Sequence, residues 1–154
     1  MLLLLGIAFA ATAAVEPCDG KGTAVFVRTA DHVLSLCEAN KTKGTMQVAL
    51  GSGGVNKKRE GDAKVPLGEY ALAPARASRD YHLFLHVGYP TRKQKRAGLT
   101  GSAVGVHGPP RGFNHPSSTN TDWTLGCIAV GTDAEIERLA AWTKERNVRR
   151  IIIE

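Results

Sequence analysis

The chain has 154 residues, a length that fits one domain. Its 20 Lys and Arg residues exceed its 14 Asp and Glu residues, which gives a net charge of +6. The basic residues cluster near 57–59, 92–96 and 146–150 without interleaved aromatic residues, so the pattern disfavours nucleic-acid binding. The positive charge favours an anionic matrix as partner, or it only keeps the surface soluble.

The first fourteen residues predict a secretory signal peptide. Residues 1–14 start with Met and four leucines and end in small residues, with cleavage expected near Ala13 or Ala14. A membrane-spanning helix needs about 20 apolar residues, so we expect no stable membrane insertion. The mature chain is then a secreted domain of about 140 residues, enough for one core.

Strand patterns dominate the mature chain. Apolar or alternating runs predict strands over 24–27, 33–37, 45–50, 70–72, 81–87, 103–107, 128–130 and 148–153. The first two flank a turn at Ala30-Asp31 and are expected to form a hairpin. In the fifth run, His82, Phe84 and His86 share one face by the two-residue period.

One clear helix is predicted, over residues 133–146. Thr132 and Glu135 form the Thr-x-x-Glu pattern of a capping box at its start. Apolar residues recur at helical spacing along it, at Ile136, Leu139, Ala140 and Trp142-Thr143. The fold class is therefore mainly β with one C-terminal helix.

The chain has three cysteines, and an odd number is informative in a secreted protein. Cys18 and Cys37 flank the first hairpin and are the two expected to pair, which leaves Cys127 free. The alternative is that Cys18 lies in a frayed terminus and all three stay reduced. Sequence alone does not decide between these, because Cα separations cannot be read from it.

The free cysteine and a histidine are candidates for nucleophilic catalysis. Cys127 lies in the run Asp-Trp-Thr-Leu-Gly-Cys-Ile-Ala-Val, twenty residues after His107. A neighbouring imidazole is the usual means of activating a thiol near neutral pH. Gly126 allows close approach of the backbone to a substrate carbonyl, and amide N–H groups there suit an oxyanion. A cysteine before an apolar strand is also common as a small buried hydrophobe, so spacing alone leaves its role open.

The residues around this pair carry a family resemblance. Gly105-Val106-His107-Gly108 followed by Thr124-Leu125-Gly126-Cys127-Ile128 resembles the active-site motif of the L,D-transpeptidase catalytic domain (YkuD-type). The stretches 57–62 and 66–70 are similar to a second motif of that family, and Ser78, Tyr81-His82, His86 and Tyr89-Pro90 fit its secreted murein-acting subgroup. The resemblance covers roughly residues 24–140. Two positions depart from many members, which have histidine where Leu125 stands and arginine where Ala129 stands.

The resemblance implies a β-sandwich-like catalytic fold over residues 22–154, with Cys127 as nucleophile and His107 as its base. It also implies that backbone at Gly108 orients the imidazole and that N–H groups of Cys127 and Gly126 face the oxyanion. The candidates for substrate contact are Thr124, Trp123, His86 and Tyr89. Trp123 and His86 have structural roles as alternatives. No cofactor and no metal are expected.

The implied substrate is the stem peptide of bacterial peptidoglycan, which places the mature protein in the periplasm or cell envelope. The implied reaction is transpeptidation through an acyl-enzyme thioester. The alternative is an L,D-carboxypeptidase or cell-wall amide hydrolase that uses the same Cys–His pair, with water in place of an amine. The sequence leaves this choice open, because the loop over 109–121 and the shape of the cleft select the acceptor.

Two hypotheses from other classes remain. A cell-wall zinc hydrolase would draw on His82, His86, His107 and Cys127 as ligands, but a zincin would show Glu after its first His. A non-enzymatic wall-binding module would require no Cys–His pair.

Overall fold

The computed structural model describes residues 15–154, and the predicted signal peptide over 1–14 lies outside the described residues. Nine strands form one mixed sheet in the spatial order β4-β9-β1-β2-β3-β8-β7-β6-β5. They are β1 Ala24–Arg28, β2 Val33–Glu38, β3 Lys41–Ala49, β4 Gly68–Ala71, β5 Arg76–Ser78, β6 His82–His86, β7 Gly105–His107, β8 Ile128–Val130 and β9 Arg150–Ile153. The helices are α1 Arg92–Arg96 and α2 Asp133–Glu145, with 3-10 turns at Thr29–Asp31 and Pro116–Thr119.

The predicted first hairpin is confirmed. Strands β1 and β2 pair antiparallel with Val25 opposite Leu36, and β3 continues the meander. The connection is a turn of 3-10 helix that ends at His32 in the left-handed conformation, with φ of 54°. On its other side β1 pairs in parallel with β9, with Val25 opposite Ile151, so the last strand of the chain joins the first.

The predicted disulfide is also formed. Cys18 and Cys37 are bonded, with their Cα atoms 5.4 Å apart, and Cys127 is the free cysteine. Both bonded residues are fully buried in a small cluster with Phe26 and Ile152, on the outer face of the hairpin. The bridge therefore fixes the segment before β1 to the end of β2.

The sheet curls on itself around a single main core. Leu72, just after β4, forms an isolated antiparallel bridge with Val87, just after β6, so strands from the two sides of the sheet meet. The enclosed core contains Leu34, Val48 and Ile128 among its buried apolar side chains. A mainly β fold with one main C-terminal helix is thus confirmed.

Helix α2 covers one opening of the curled sheet. Its capping box is present: the Thr132 side chain accepts from Glu135 N at 3.2 Å, and Glu135 Oε2 accepts from Thr132 N at 3.0 Å. Ile136, Leu139 and Trp142 are buried on the face predicted from their spacing. Within residues 15–154, no helix is both long enough and apolar enough to span a membrane.

Two short elements were not predicted. Helix α1 is one exposed basic turn, Arg-Lys-Gln-Lys-Arg, without a buried residue, so hydrophobic periodicity cannot reveal it. Its signal is the capping box between Thr91 and Gln94. Strand β5 lies on the edge of the sheet and pairs only with β6. It has three residues, too few for an alternating pattern to stand out.

Candidate active site

The sheet brings His107 and Cys127 to one face. Strands β7 and β8 are parallel neighbours, with Val106 opposite Ile128 and His107 opposite Ala129. Cys127 immediately precedes β8, so it is two register positions before the partner of His107. Because side chains two positions apart on a strand point the same way, the thiol and the imidazole project from the same side of the sheet.

Both side chains line one cavity of about 580 Å³. Trp123, Thr124 and Gly126, three of the residues predicted to contact substrate or oxyanion, line it too. Gly108, His86 and Tyr89 are not among its lining residues. The walls also include Lys57, Tyr81, Phe84, Ala103 and Leu125. Leu125 lies in the loop before Cys127 and is 84% exposed.

The backbone of Gly108 fixes the orientation of His107. Nδ1 of the ring lies 2.7 Å from the Gly108 carbonyl oxygen. A carbonyl oxygen only accepts hydrogen bonds, so Nδ1 carries a proton and donates it, and Nε2 is the unprotonated nitrogen of the neutral ring. The ring is 1% exposed, and burial lowers its pKa below the ordinary 6.5, partly opposed by the bond to Gly108. His107 is therefore a neutral base with one available nitrogen.

Three aromatic residues surround this imidazole. Tyr81 stacks on it with ring centroids 3.9 Å apart and planes at 18°, and Phe84 lies nearly parallel at 6.0 Å. Trp123 is tilted at 5.7 Å, and its indole N–H donates to the Ser118 carbonyl at 3.0 Å. Trp123 thus contributes both packing around the histidine and a wall of the cavity. Tyr81 was part of the family resemblance and Phe84 of a predicted strand face, but neither was predicted to contact the histidine.

Cys127 is held as a neutral thiol in the resting site. Its Sγ donates to the backbone carbonyl of Ala103 at 3.4 Å. Burial raises the pKa of Cys127, while a hydrogen bond from the Gly105 backbone and the charge of Lys57 act in the opposite direction. Together with the lowered pKa of His107, this favours a thiol beside a neutral imidazole over a preformed thiolate–imidazolium pair.

The loop before Cys127 is locked by one buried hydroxyl. Thr124 Oγ1 donates to the Cys127 carbonyl at 2.7 Å and accepts from Gly126 N at 3.2 Å. The Gly126 N–H therefore already has a partner, which differs from its predicted contact with an oxyanion. The reason is local: a threonine two residues earlier in the same tight turn can reach this N–H with its side chain. The oxyanion contact of the Cys127 N–H stays a prediction.

Gly126 is a glycine for two separate reasons. Its φ is +122°, a conformation that L side chains rarely adopt. A Cβ there would also come within 2.7 Å of the Lys64 carbonyl oxygen, which is backbone and cannot move aside cheaply. This packing allows the loop carrying Cys127 to lie directly against the 57–64 segment.

Tyr89 and His86 do not line the cavity that holds Cys127 and His107. The Tyr89 side chain is 3% exposed, and its hydroxyl donates to the carbonyls of Lys57 at 3.3 Å and Thr100 at 3.2 Å. It therefore supports the segment that carries Lys57 from behind. His86 is exposed at the end of β6.

Lys57 and Asp62 form a buried ion pair at the cavity wall. Lys57 Nζ lies 2.8 Å from Asp62 Oδ1, and the two side chains are 4% and 10% exposed. Asp62 also accepts from three backbone N–H groups, those of Lys58, Arg59 and Lys64. The motif spanning 57–62 indicated that these two residues belong to the family pattern, but not that the ammonium faces the cavity.

The zinc hypothesis draws on histidines that the fold separates. His82 Nε2 lies 2.7 Å from Glu137 Oε1 on α2, and His86 is exposed four residues farther along, at the end of β6. In the part of the chain from 15 to 154, no three His, Cys, Asp or Glu side chains come together in a group that could hold a metal ion.

Solved structures with a similar fold include a cell-shape protein and a second bacterial protein. The helical cell shape determining protein Pgp2 from Campylobacter jejuni superimposes with a TM-score of 0.70 at 24% identity, over 85% of this chain and 46% of that chain. Bd1075 from Bdellovibrio bacteriovorus gives 0.62 at 21% identity, over 91% and 51%. This chain thus spans about half the length of each.

Enzymes of known class share the fold as well. An L,D-transpeptidase from Mycobacterium smegmatis superimposes with a TM-score of 0.54 at 13% identity, over 85% of this chain and 58% of that chain. Comparison with curated proteins gives no significant match. The family model of the L,D-transpeptidase catalytic domain (YkuD) matches residues 22–153, nearly all of the described chain. The chain belongs to the L,D-transpeptidase catalytic domain family.

Proposed function

We propose that this protein is a cysteine-dependent L,D-transpeptidase that acts on peptidoglycan stem peptides through an acyl-enzyme thioester. The observation that carries the proposal is the shared cavity of Cys127 and His107, in which the Gly108 carbonyl leaves Nε2 as the free nitrogen of the base. The family membership supports the substrate class.

The first half-reaction uses only side chains and backbone of this chain. Sγ of Cys127 attacks the carbonyl carbon of the L,D-amide as its proton passes to Nε2 of His107. The C–N bond breaks, and the leaving nitrogen takes the proton back from Nε2. A D-amino acid or a linked peptide departs, and the acyl group remains on sulfur as a thioester.

The second half-reaction decides between transfer and hydrolysis. A thioester retains the acyl group in activated form, so an amine can attack it and form a new amide without ATP. If water attacks instead, the same residues give an L,D-carboxypeptidase. Nε2 accepts the proton of whichever nucleophile enters, and Cys127 regains it when the thioester breaks.

Secretion to the bacterial envelope is part of the proposal. A disulfide between Cys18 and Cys37 suits an oxidising compartment, which supports export. The net charge of +6 suits the free carboxylates of peptidoglycan.

The test is incubation with purified muropeptides in EDTA, with and without a free D-amino acid as acceptor. We expect tetrapeptide stems to exchange their terminal residue at the bond after the third residue, the diaminopimelate or its equivalent. Loss of that residue without exchange would identify the carboxypeptidase instead. The proposal fails if EDTA stops the reaction, or if tri-, tetra- and pentapeptide stems and their cross-linked forms all stay unchanged.

A carbapenem gives an independent measure of the nucleophile. Its strained amide presents an acyl group to the thiol, so an adduct on Cys127 in mass spectrometry would report an accessible and activated sulfur. Cys127→Ala serves as control and should gain no mass. An adduct elsewhere, or none, would count against the assigned nucleophile.

A further inference from the structure

We propose that Lys57 is an electrostatic positioning residue, whose buried ammonium favours the thiolate form of Cys127 as it develops during attack. The inference rests on the proposed function for its meaning in catalysis. Its evidence is the placement of a cation in the wall of the cavity that holds the thiol. Among the lining residues, Lys57 and Glu60 are the two that carry formal charge at neutral pH.

The path of the Lys57 side chain is defined by glycines on both sides. A Cβ on Gly101 would lie 2.8 Å from Lys57 Cε, and a Cβ on Gly126 would lie 3.6 Å from Nζ. Both glycines have positive φ, +138° and +122°. A side chain at position 101 would therefore collide with the Lys57 side chain, whose ammonium ends in van der Waals range of position 126, the residue that precedes Cys127.

Two of the three ammonium hydrogens have fixed partners. Nζ donates to Asp62 Oδ1 at 2.8 Å and to the Arg59 carbonyl at 3.1 Å. An ammonium has three N–H donors, so one remains. The Tyr89 hydroxyl donates to the Lys57 carbonyl, which restricts the backbone of Lys57. The ammonium is thus aimed, and its position does not depend on a flexible surface side chain.

A buried ion pair is weak evidence for stability, because its desolvation offsets its attraction. Here Lys57 lines the same cavity as Cys127, and its charge acts on the pKa of Cys127 in the direction of thiolate, against burial. Other groups facing Cys127 give little positive charge: His107 is neutral, the pKa of Tyr81 is raised by burial, and Glu60 is an acid. Beside the hydrogen bond from the Gly105 backbone, Lys57 is the charged group that can compensate the burial of the sulfur.

The experiment measures the pH profile of Cys127 alkylation by iodoacetamide, which needs no substrate. In Lys57→Met we expect the midpoint to rise and the alkylation rate below it to fall about three- to tenfold, the size expected for a partly neutralised charge several ångströms away. Lys57→Arg should keep most of the wild-type profile. Lys58→Met, an exposed neighbour on the same segment, is the matched control and should change nothing.

Asp62→Asn separates electrostatics from loop damage. Removing the carboxylate leaves the ammonium uncompensated, so we expect the alkylation midpoint of Cys127 to fall, opposite to the rise in Lys57→Met. If both variants merely disrupted the 57–64 segment, their shifts would share one sign. Shifts of the same sign, or an unchanged profile in a folded Lys57→Met, would overturn the inference.

Failure of the proposed function looks different. If muropeptides stay intact while the alkylation profiles move as expected, the placement of the cation stands and the substrate assignment falls. If muropeptides are processed while Lys57→Met is alkylated like wild type, the substrate assignment stands and the role of Lys57 falls. Circular dichroism and thermal melts of each variant establish that the compared proteins are folded.

Discussion

Ala103 directs its backbone carbonyl at the thiol of Cys127, with oxygen and sulfur 3.4 Å apart. Ala103 has φ of 52°, the left-handed conformation that a residue with a Cβ adopts at a cost of about 1–2 kcal/mol. The hydrogen bond keeps the S–H directed away from His107 in the resting site. In the proposed mechanism the thiol hydrogen turns toward Nε2 before or during attack, which a rotation about the Cβ–Sγ bond provides.

Replacement of Cys127 by Ala should abolish turnover of muropeptides and leave the fold intact. The side chain is small and only partly buried, and Thr124, not the thiol, holds the loop. Chromatographic analysis of digests measures the loss, with a thermal melt as the control for folding. Undiminished turnover by the alanine variant would refute the mechanism.

Activity should be lost at acid pH with a midpoint below 6.5, the ordinary pKa of histidine. Burial lowers the pKa of His107, so the neutral ring that accepts the proton persists to more acidic pH than in an exposed histidine. Activity should therefore be complete above that lowered value and decline as pH drops through it. The measurement is kcat/KM against pH on a tetrapeptide stem, and an acid midpoint above 6.5 would contradict the neutral-base assignment.

His107→Ala should abolish turnover at every pH. It should also slow alkylation of Cys127 below pH 7, because Nε2 no longer accepts the thiol proton. Iodoacetamide kinetics in parallel with wild type measure this second effect. A pH profile that matched wild type would show that the imidazole does not act on the thiol.

Gly126→Ala should lose activity and destabilise the protein by about 3 kcal/mol or more, from backbone strain and overpacking together. The added methyl would collide with the Lys64 carbonyl. Gly98→Ala is the matched control, since its φ is also positive, +86°, but a Cβ there meets nothing within 4 Å. Chemical denaturation compares them, and equal losses would mean that conformation alone matters at Gly126.

Oxidised protein should contain the Cys18–Cys37 bridge and one free thiol. Non-reducing peptide mapping checks the pairing. Cys18→Ser should lower the free energy of unfolding by about 3 kcal/mol, since the bridge closes a loop with a sequence separation of 19. A bridge that included Cys127 would contradict both the pairing and the nucleophile.

Local signals predicted much of the fold. The capping box of Thr132 and Glu135 and the apolar spacing after it located α2 to within one residue at its end. The β1–β2 hairpin was predicted for the same reason, since its strands are adjacent in sequence. The parallel pairing of β1 with β9 and the Leu72–Val87 bridge join distant residues, and no local pattern encodes them.

The features of the site likewise fall into those that local sequence predicts and those that it does not. Cys127 and His107 were identified from motif residues, and the register of β7 with β8 then explains why they share a face. The aromatic stack of Tyr81 on the imidazole and the carbonyl of Ala103 on the thiol were not predicted. Both depend on how loops from separate strands meet, and a backbone carbonyl has no signature in a sequence.

The bond between His107 and the Gly108 carbonyl has a kinetic consequence for the proposed cycle. With Nδ1 committed, the ring exchanges one proton through one nitrogen, and that proton must leave with the first product before another can be taken up. Because the acyl group also stays on the sulfur of Cys127 until the acceptor attacks, donor and acceptor react in turn in the proposed cycle. Double-reciprocal plots at several acceptor concentrations should accordingly run parallel, as in a ping-pong mechanism.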